Sequence, residues 1–305
     1  GTPLNDFLFG SGNDPAGVSG AIILDQFESF EGMAGDDIVF GGGGLDRANY
    51  MHSPNGVNVD LGQSIAFDDG FGDTDTLFEV DGVQGTDFAD ILRGDANDNF
   101  FQPLRGADFV DGRDGVDTVA YAGLGGKVSI DLAVGTGEHA NGDTLVIRNI
   151  ENAEVGDGDD MVLGSRFANV INGGLGDDML FGRAGDDRLF GGGGDDMLFG
   201  GGGDDILGGG SGADRIEGAA GRDILMGASG DDLLRGGADS DRFAFGLFAG
   251  HDVVDDFEVG VDVMDVRPFD ISGFAALLAL AVDVSDGVEI RLNGMDDVVL
   301  LNNVF

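Results

Sequence analysis

Between residues 173 and 243 the chain repeats itself every nine residues, as GGLGDDMLF, GRAGDDRLF, GGGGDDMLF, GGGGDDILG, GGSGADRIE, GAAGRDILM, GASGDDLLR and GGADSDRF. An aspartate holds the sixth place of every unit, at Asp178, Asp187, Asp196, Asp205, Asp214, Asp223, Asp232 and Asp241. Two places on stands an apolar residue: Leu180, Leu189, Leu198, Leu207, Ile216, Leu225, Leu234 and Phe243. A fixed short period decides architecture before local propensity does, because each unit must fold against its neighbours.

One unit offers a single large apolar side chain, flanked by outward neighbours as in a short strand of period two. Glycines at places one, two and four allow left-handed backbone and leave carbonyl oxygens uncovered. A turn followed by a three-residue strand is therefore predicted. Nine residues cannot fold alone, but stacked units rest each buried apolar residue on the next, giving a solenoid of parallel strands. Successive units form opposite walls, so Asp178, Asp196, Asp214 and Asp232 line one edge and Asp187, Asp205, Asp223 and Asp241 the other. A flexible Gly/Asp linker would have no reason to keep an apolar residue locked to one place of the period.

Carboxylates stacked in register repel one another unless a counter-charge intervenes. A hard divalent cation between turns removes that cost, and calcium suits it, because it takes ~6–8 oxygen ligands in a flexible shell. Candidate carbonyl donors lie at the second- and fourth-place glycines: Gly174, Gly176, Gly185, Gly192, Gly194, Gly201, Gly203, Gly210, Gly212, Gly221 and Gly230. The chain has no Cys and three scattered His, which disfavours zinc or copper.

The run resembles the RTX, or haemolysin-type, calcium-binding nonapeptide repeat GGxGxDxUx, with U apolar. That resemblance implies an all-β, right-handed parallel β-roll with several Ca²⁺ ions between turns, and export in unfolded form by a type I secretion apparatus to the outside of the cell. Arg183 and Ala219 depart from the pattern at the second place, and Asp239 at the fourth.

The same register appears twice upstream. GMAGDDIVF GGGGLDRAN places Asp37 and Asp46 at sixth positions, and GTDFADILR GDANDNFFQ PLRGADFVD GRDGVDTVA places Asp90, Asn99, Asp108 and Asp117 there. Asn99 keeps an oxygen but loses the charge, so weaker or absent binding is expected there. Asp160 and Asn169 continue the phase back from Asp178, and GTPLNDFLFG resembles half a unit, with Asp6 and Leu8 in phase. That beginning suggests a missing upstream part. A longer repeat separates the blocks: residues 46–62 match 117–133, with Tyr50 opposite Tyr121 and VNVDL opposite VSIDL. These segments are expected to continue the roll as broader coils. The chain then reads as one elongated solenoid in four segments: a short N-terminal roll (1–79), a degenerate middle roll (80–149), the main roll (150–245) and a C-terminal cap and secretion region (246–305).

On one wall Met179, Phe181, Met197 and Phe199 should stack outward, an apolar patch of the kind that usually meets a partner. The C-terminal segment or a neighbouring coil is the first choice to cover it. HDVVDDFEVGVD resembles the segment that follows the roll in serralysin-like exported proteins, and residues 271–282 (ISGFAALLALAV) read as one short helix in a β-rich cap. At about twelve residues it is short of the ~20 a bilayer needs.

The balance of 58 acidic against 15 basic residues, a net charge of −43, excludes nucleic acid as a natural partner. There is no HExxH, no GxSxG and no complete P-loop, and an acid pair in every unit is better read as metal ligand plus solvated neighbour than as a glycosidase dyad. The residues therefore point to a non-enzymatic, secreted calcium-binding module that folds on Ca²⁺ binding, with a structural, adhesive or surface-assembly role. The alternative is the non-catalytic C-terminal region of a secreted hydrolase or alginate-epimerase-like enzyme with its chemistry upstream.

Overall fold

The computed structural model describes residues 5–9, 28–121, 125–269, 280–284, 287–292 and 297–302. The chain divides into two compact units, residues 1–124 with 134–153 and residues 125–133 with 154–305.

The second unit carries the regular run, and its two walls follow from the nine-residue period. One wall is a parallel succession of Val128–Asp131, Met161–Leu163, Met179–Ala184, Met197–Gly202, Arg215–Ala220, Leu233–Ala238, His251–Val254 and Val298–Asn302. The other is Val170–Leu175, Arg188–Gly193, Ile206–Ser211, Ile224–Ser229, Arg242–Ala244 and Val263–Asp265. Each nonapeptide moves the chain to the opposite wall, so a strand pairs with the one two units on. Leu180 faces Leu198, then Ile216, then Leu234, while Ile171, Leu189, Leu207, Leu225 and Phe243 run up the second wall. All are fully buried, each contributing about 1.5–3 kcal/mol of apolar burial.

Strands of the regular run are six residues long rather than three. Parallel pairing does not stop at the ninth place: Gly174 pairs with Gly192 and Arg183 with Gly201, so the glycine-rich start of the next unit extends the strand.

The first unit has the same two walls with shorter strands. Glu28–Phe30, Asp46–Asn49, Gly82–Gln84, Phe100–Gln102 and Thr118–Ala120 form one. In the other, Phe7–Phe9 pairs with Ile38–Phe40 and that with Asp75–Phe78, while Asn58–Asp60, Ile91–Arg93, Phe109–Asp111 and Thr144–Arg148 follow in parallel. The intervening segments are not broader coils. Ile65–Asp68 runs antiparallel between Asn58–Asp60 and Asp75–Phe78, and Thr136–His139 antiparallel to Thr144–Arg148. The first reversal is fixed locally: Asp60 caps a 3-10 turn at Leu61–Gln63 by accepting the Gln63 N–H, and Ser64 takes φ 56° to turn the chain back.

Residues 271–279 of the expected helix lie outside the described residues. Its last two positions open the strand Ala281–Val284, antiparallel to Gly287–Arg291, which is antiparallel to Val298–Asn302. The β-branched alternation of Val282 and Val284 suits a pleated sheet better than a helix. Among the described residues no helix is long and apolar enough to cross a membrane.

Candidate metal centres along the turn edges

Every sixth-place aspartate of the run is buried, with 1–2% exposure. One oxygen is used in a ladder: Oδ1 of Asp178, Asp196, Asp214 and Asp232 accepts the backbone N–H of the sixth-place residue one coil earlier, at 2.8–2.9 Å. On the opposite edge Asp187, Asp205, Asp223 and Asp241 do the same, at 2.7–3.0 Å. The second oxygen, Oδ2, is buried and makes no hydrogen bond among the described residues, in all eight. A buried acceptor left without a partner costs about 1–3 kcal/mol, more when charged, so this arrangement asks for a cation at each turn.

The first-place glycine shows where those oxygens point. A Cβ on Gly173 would lie 2.3 Å from Asp178 Oδ2 and 2.6 Å from the Gly191 carbonyl oxygen, and one on Gly191 2.2 Å from Asp196 Oδ2 and 2.6 Å from the Gly209 oxygen. Positive φ is confined to places two and four, as at Gly174 (103°) and Gly176 (119°). The first glycine is thus required for room and not, as the sequence suggested, for left-handed backbone. Places two and four also stack their carbonyls: a Cβ on Gly192 or Gly194 would come within 2.1 Å of the oxygen of Gly174 or Gly176, one coil back. Arg183, Ala219 and Ala228 hold positive φ at second places without being glycine, each at about 1–2 kcal/mol of backbone strain.

Among the described residues no three His, Cys, Asp or Glu side chains gather as a metal-binding group. A cation here must therefore draw on backbone carbonyls as well as a carboxylate, an all-oxygen set that fits calcium and not the softer transition metals.

Electrostatics agree with that demand. Burial pushes the carboxyls of Asp178 and Asp214 up to about 7, and those of Asp187, Asp196, Asp205, Asp223 and Asp241 up to about 6, from an ordinary 3.8. The ladder N–H bonds pull the other way and neighbouring carboxylates add to the rise. Without a cation the edges take up protons as the pH falls through about 7 to 6, well above the ordinary carboxylate range.

The fifth-place acids are more than solvated neighbours. Oδ1 of Asp177, Asp186, Asp195 and Asp204 accepts the N–H of the fifth-place residue one coil later, at 2.7–2.9 Å. This outer ladder runs opposite in sense to the inner one, so a turn is held from both sides.

In the degenerate blocks the candidates divide. Asp37, Asp46, Asp108, Asp117 and Asp160 each leave a buried oxygen without a hydrogen bond. Asp90 does not: its carboxylate accepts the N–H of Val57 and both the N–H and Oγ1 of Thr86. Asn99 Oδ1 accepts the Asp95 N–H at 2.7 Å. Period counting missed acids that serve as ladder acceptors at irregular spacing: Asp75 for Asp37, Asp81 for Asp46, Glu151 for Asp117, Asp252 for Asp232 and Asp262 for Asp241. Their signal is an acid at the entry to each apolar-acidic element and in HDVVDDFEVGVD. Outward on the wall, Phe181 and Phe199 stack with centroids 4.9 Å apart and planes at 8°, and Met197 is 42% exposed.

Two-walled coils with an oxygen-lined cation demand at each turn of the regular run define a metal-stabilised β-roll. The family model of the RTX calcium-binding nonapeptide repeat (4 copies) matches residues 27–48, 84–119, 154–189, 174–207, 181–216, 208–243 and 217–254, together just over half of the chain. The chain belongs to that family, and its repeats bind Ca²⁺ at multiple sites. No curated protein matches it significantly. Among solved structures it is similar to the extracellular lipase LipA from Serratia marcescens, at 18% identity and a TM-score of 0.18 over 73% of this chain and 38% of that one. The chain thus spans well under half of that protein's length.

Proposed function

We propose that these residues form a secreted, calcium-stabilised structural module, with the eight sixth-place aspartates of the regular run and the carbonyls of its second- and fourth-place glycines as donors. Asp37, Asp46, Asp108, Asp117 and Asp160 extend the set into the weaker blocks, and residues 246–305 act as cap and secretion region. The observation that carries this reading is the row of buried, unpartnered Oδ2 atoms on both edges. Calcium supplies there a hard divalent charge that neutralises carboxylates the fold has already desolvated. Asp178 to Asp241 hold their Oδ1 in the ladder and keep Oδ2 available, while the first-place glycines leave room beside it.

A net charge of −43 opposes compaction of the metal-free chain, so folding is expected where calcium is plentiful, outside the cell, after passage through a type I apparatus. A structural role suits the site better than a catalytic one, since its acids recur in every turn instead of converging once. The stacked Phe181 and Phe199 support an adhesive or self-assembling surface. Far-UV circular dichroism with calcium and with a chelator tests the first part: spectra that do not differ refute it. Sedimentation of the calcium-loaded chain tests the second, which strictly monomeric particles would exclude.

A further inference from the structure

Arg113 and Arg183 stand at the second place of their units, both at positive φ, 76° and 78°. In each case the unit one coil earlier carries an amide at the sixth place: Asn99 donates its N–H to Asp117 Oδ1 at 2.7 Å, and Asn169 to Asp187 Oδ1 at 2.7 Å. Arg113 Nη1 donates to the Gly94 carbonyl at 2.6 Å and Nη2 to Asp60 Oδ2 at 2.7 Å. Arg183 Nη1 donates to the Gly164 carbonyl at 2.7 Å, and its Nη1 and Nη2 grip Asp131 Oδ1 and Oδ2 at 2.8 Å each. Gly94 and Gly164 are the first-place residues of the two asparagine units. Asp60 and Asp131 close the matching strands Asn58–Asp60 and Val128–Asp131. Two different units of the chain have thus built one constellation twice.

We propose that at these two positions the chain supplies its own cation: the guanidinium groups of Arg113 and Arg183 stand in for calcium, and the Asn99 and Asn169 turns take up no metal. Three observations converge on this. The sixth-place side chain is neutral, and its oxygen is already used within the turn, by the N–H of Asp95 for Asn99 and of Ser165 for Asn169, at 2.7 and 2.6 Å. The first-place carbonyl is engaged by the guanidinium, which also pairs with a carboxylate: Arg183 holds Asp131 through both nitrogens, in the forked geometry that favours Arg over a point charge, and Arg113 bonds Asp60 through Nη2. The coil behind each asparagine turn presents a carboxylate to the guanidinium where the regular run presents a glycine-rich turn: the chain leaves that coil at Asp60 for a 3-10 turn and after Asp131 for a turn at residues 132–135. The arginine reaches back over the asparagine turn to that coil and closes the end of the column.

Supporting this, the Asp60 carboxyl is held below its ordinary value: burial pushes it up, but the hydrogen bonds from Arg113 and Gln63 and the Arg113 charge outweigh burial. The hydrogen bond to Asp131 likewise raises Arg183. Asn99, a candidate ligand by its place in the period, becomes a position where calcium is replaced.

The inference rests on calcium filling the other turns, and the experiment separates the two. Calcium bound per full-length chain is counted by equilibrium dialysis for the natural sequence and for two double variants that restore the repeat pattern, Asn99→Asp with Arg113→Gly and Asn169→Asp with Arg183→Gly. Each double variant should gain one ion per chain. Binding by the natural chain with no gain in either variant overturns the guanidinium substitution alone; no calcium in any of the three overturns both readings. Crystals of the natural chain grown in calcium give a check that needs no variant to fold: an anomalous difference map should show no peak beside Arg113 or Arg183, and a peak at either refutes the proposal.

Discussion

Replacing Asp196 by asparagine should push stability in opposite directions with and without calcium. The side chain fits: Asn99 and Asn169 hold the same place of the period one coil before Asp117 and Asp187, and the substituted side chain has one amide oxygen to offer the Asp178 N–H, an oxygen that Asn99 and Asn169 turn to an N–H of their own turn. What disappears is a charge whose carboxyl burial raises to about 6 from 3.8. Two pKa units correspond to about 3 kcal/mol; discounted for the nearby solvent that screens a turn edge, roughly 1–2 kcal/mol remains. The metal-free chain above pH 6 should gain that amount, because it no longer ionises a desolvated acid. With calcium at ~100 times its dissociation constant the lost site removes about 2.7 kcal/mol, which outweighs that gain and leaves the variant roughly 1 kcal/mol less stable than the natural chain. Urea titrations followed by far-UV circular dichroism, in calcium and in chelator, measure both, with sucrose added where the chelated chain needs support. Loss of stability in both conditions, or in neither, would refute the assignment of Asp196 Oδ2 as a cation donor.

Truncating a buried eighth-place residue acts on packing instead: Leu198→Ala should cost about 2–5 kcal/mol with or without calcium, read from the same titrations. Gly191→Ala, whose Cβ would sit 2.2 Å from Asp196 Oδ2, should weaken calcium binding measured by calorimetry, whereas Gly202→Ala, with nothing within 4 Å of its Cβ, should leave it unchanged. The pH dependence follows from the sign of the carboxyl shifts. Folded values of about 6 to 7 lie above the unfolded 3.8, so their contribution is whole below about pH 4 and is lost as pH rises through 6 to 7. Asp60, held low by Arg113, works the other way below about pH 4. Circular dichroism in chelator should therefore show more structure near pH ~5 than near pH ~8, and calcium binding near neutrality should release protons.

The two walls, the interior residues and the alternating edges were legible because Leu180 to Phe243 and Asp178 to Asp241 keep one period, and nothing but stacking rewards that. The hairpins were not, since Asp60 and Ser64 reverse the chain through local capping that apolar periodicity does not report. Ladder acceptors such as Glu151, Asp252 and Asp262 were hidden for a related reason: their partners lie 34, 20 and 21 residues away, off any multiple of nine. The reason for the first glycine was also out of reach, because it depends on where a carboxylate folds in space. Arg183 is visible in sequence only as a lapse in the pattern; its partner Asp131 lies 52 residues back.

A stack of near-identical turns has an ambiguity that ordinary cores lack. Sliding the regular run by one coil exchanges leucine for leucine and aspartate for aspartate, so hydrophobic and ionic terms alike scarcely distinguish the shifted alignment from the native one. Arg183 makes the difference. A slip of one coil would bring Gly201 opposite Asp131 in its place, leaving a guanidinium without its carboxylate and a carboxylate without its guanidinium. The irregular residue acts as an address, telling the repetitive chain where along itself to begin counting.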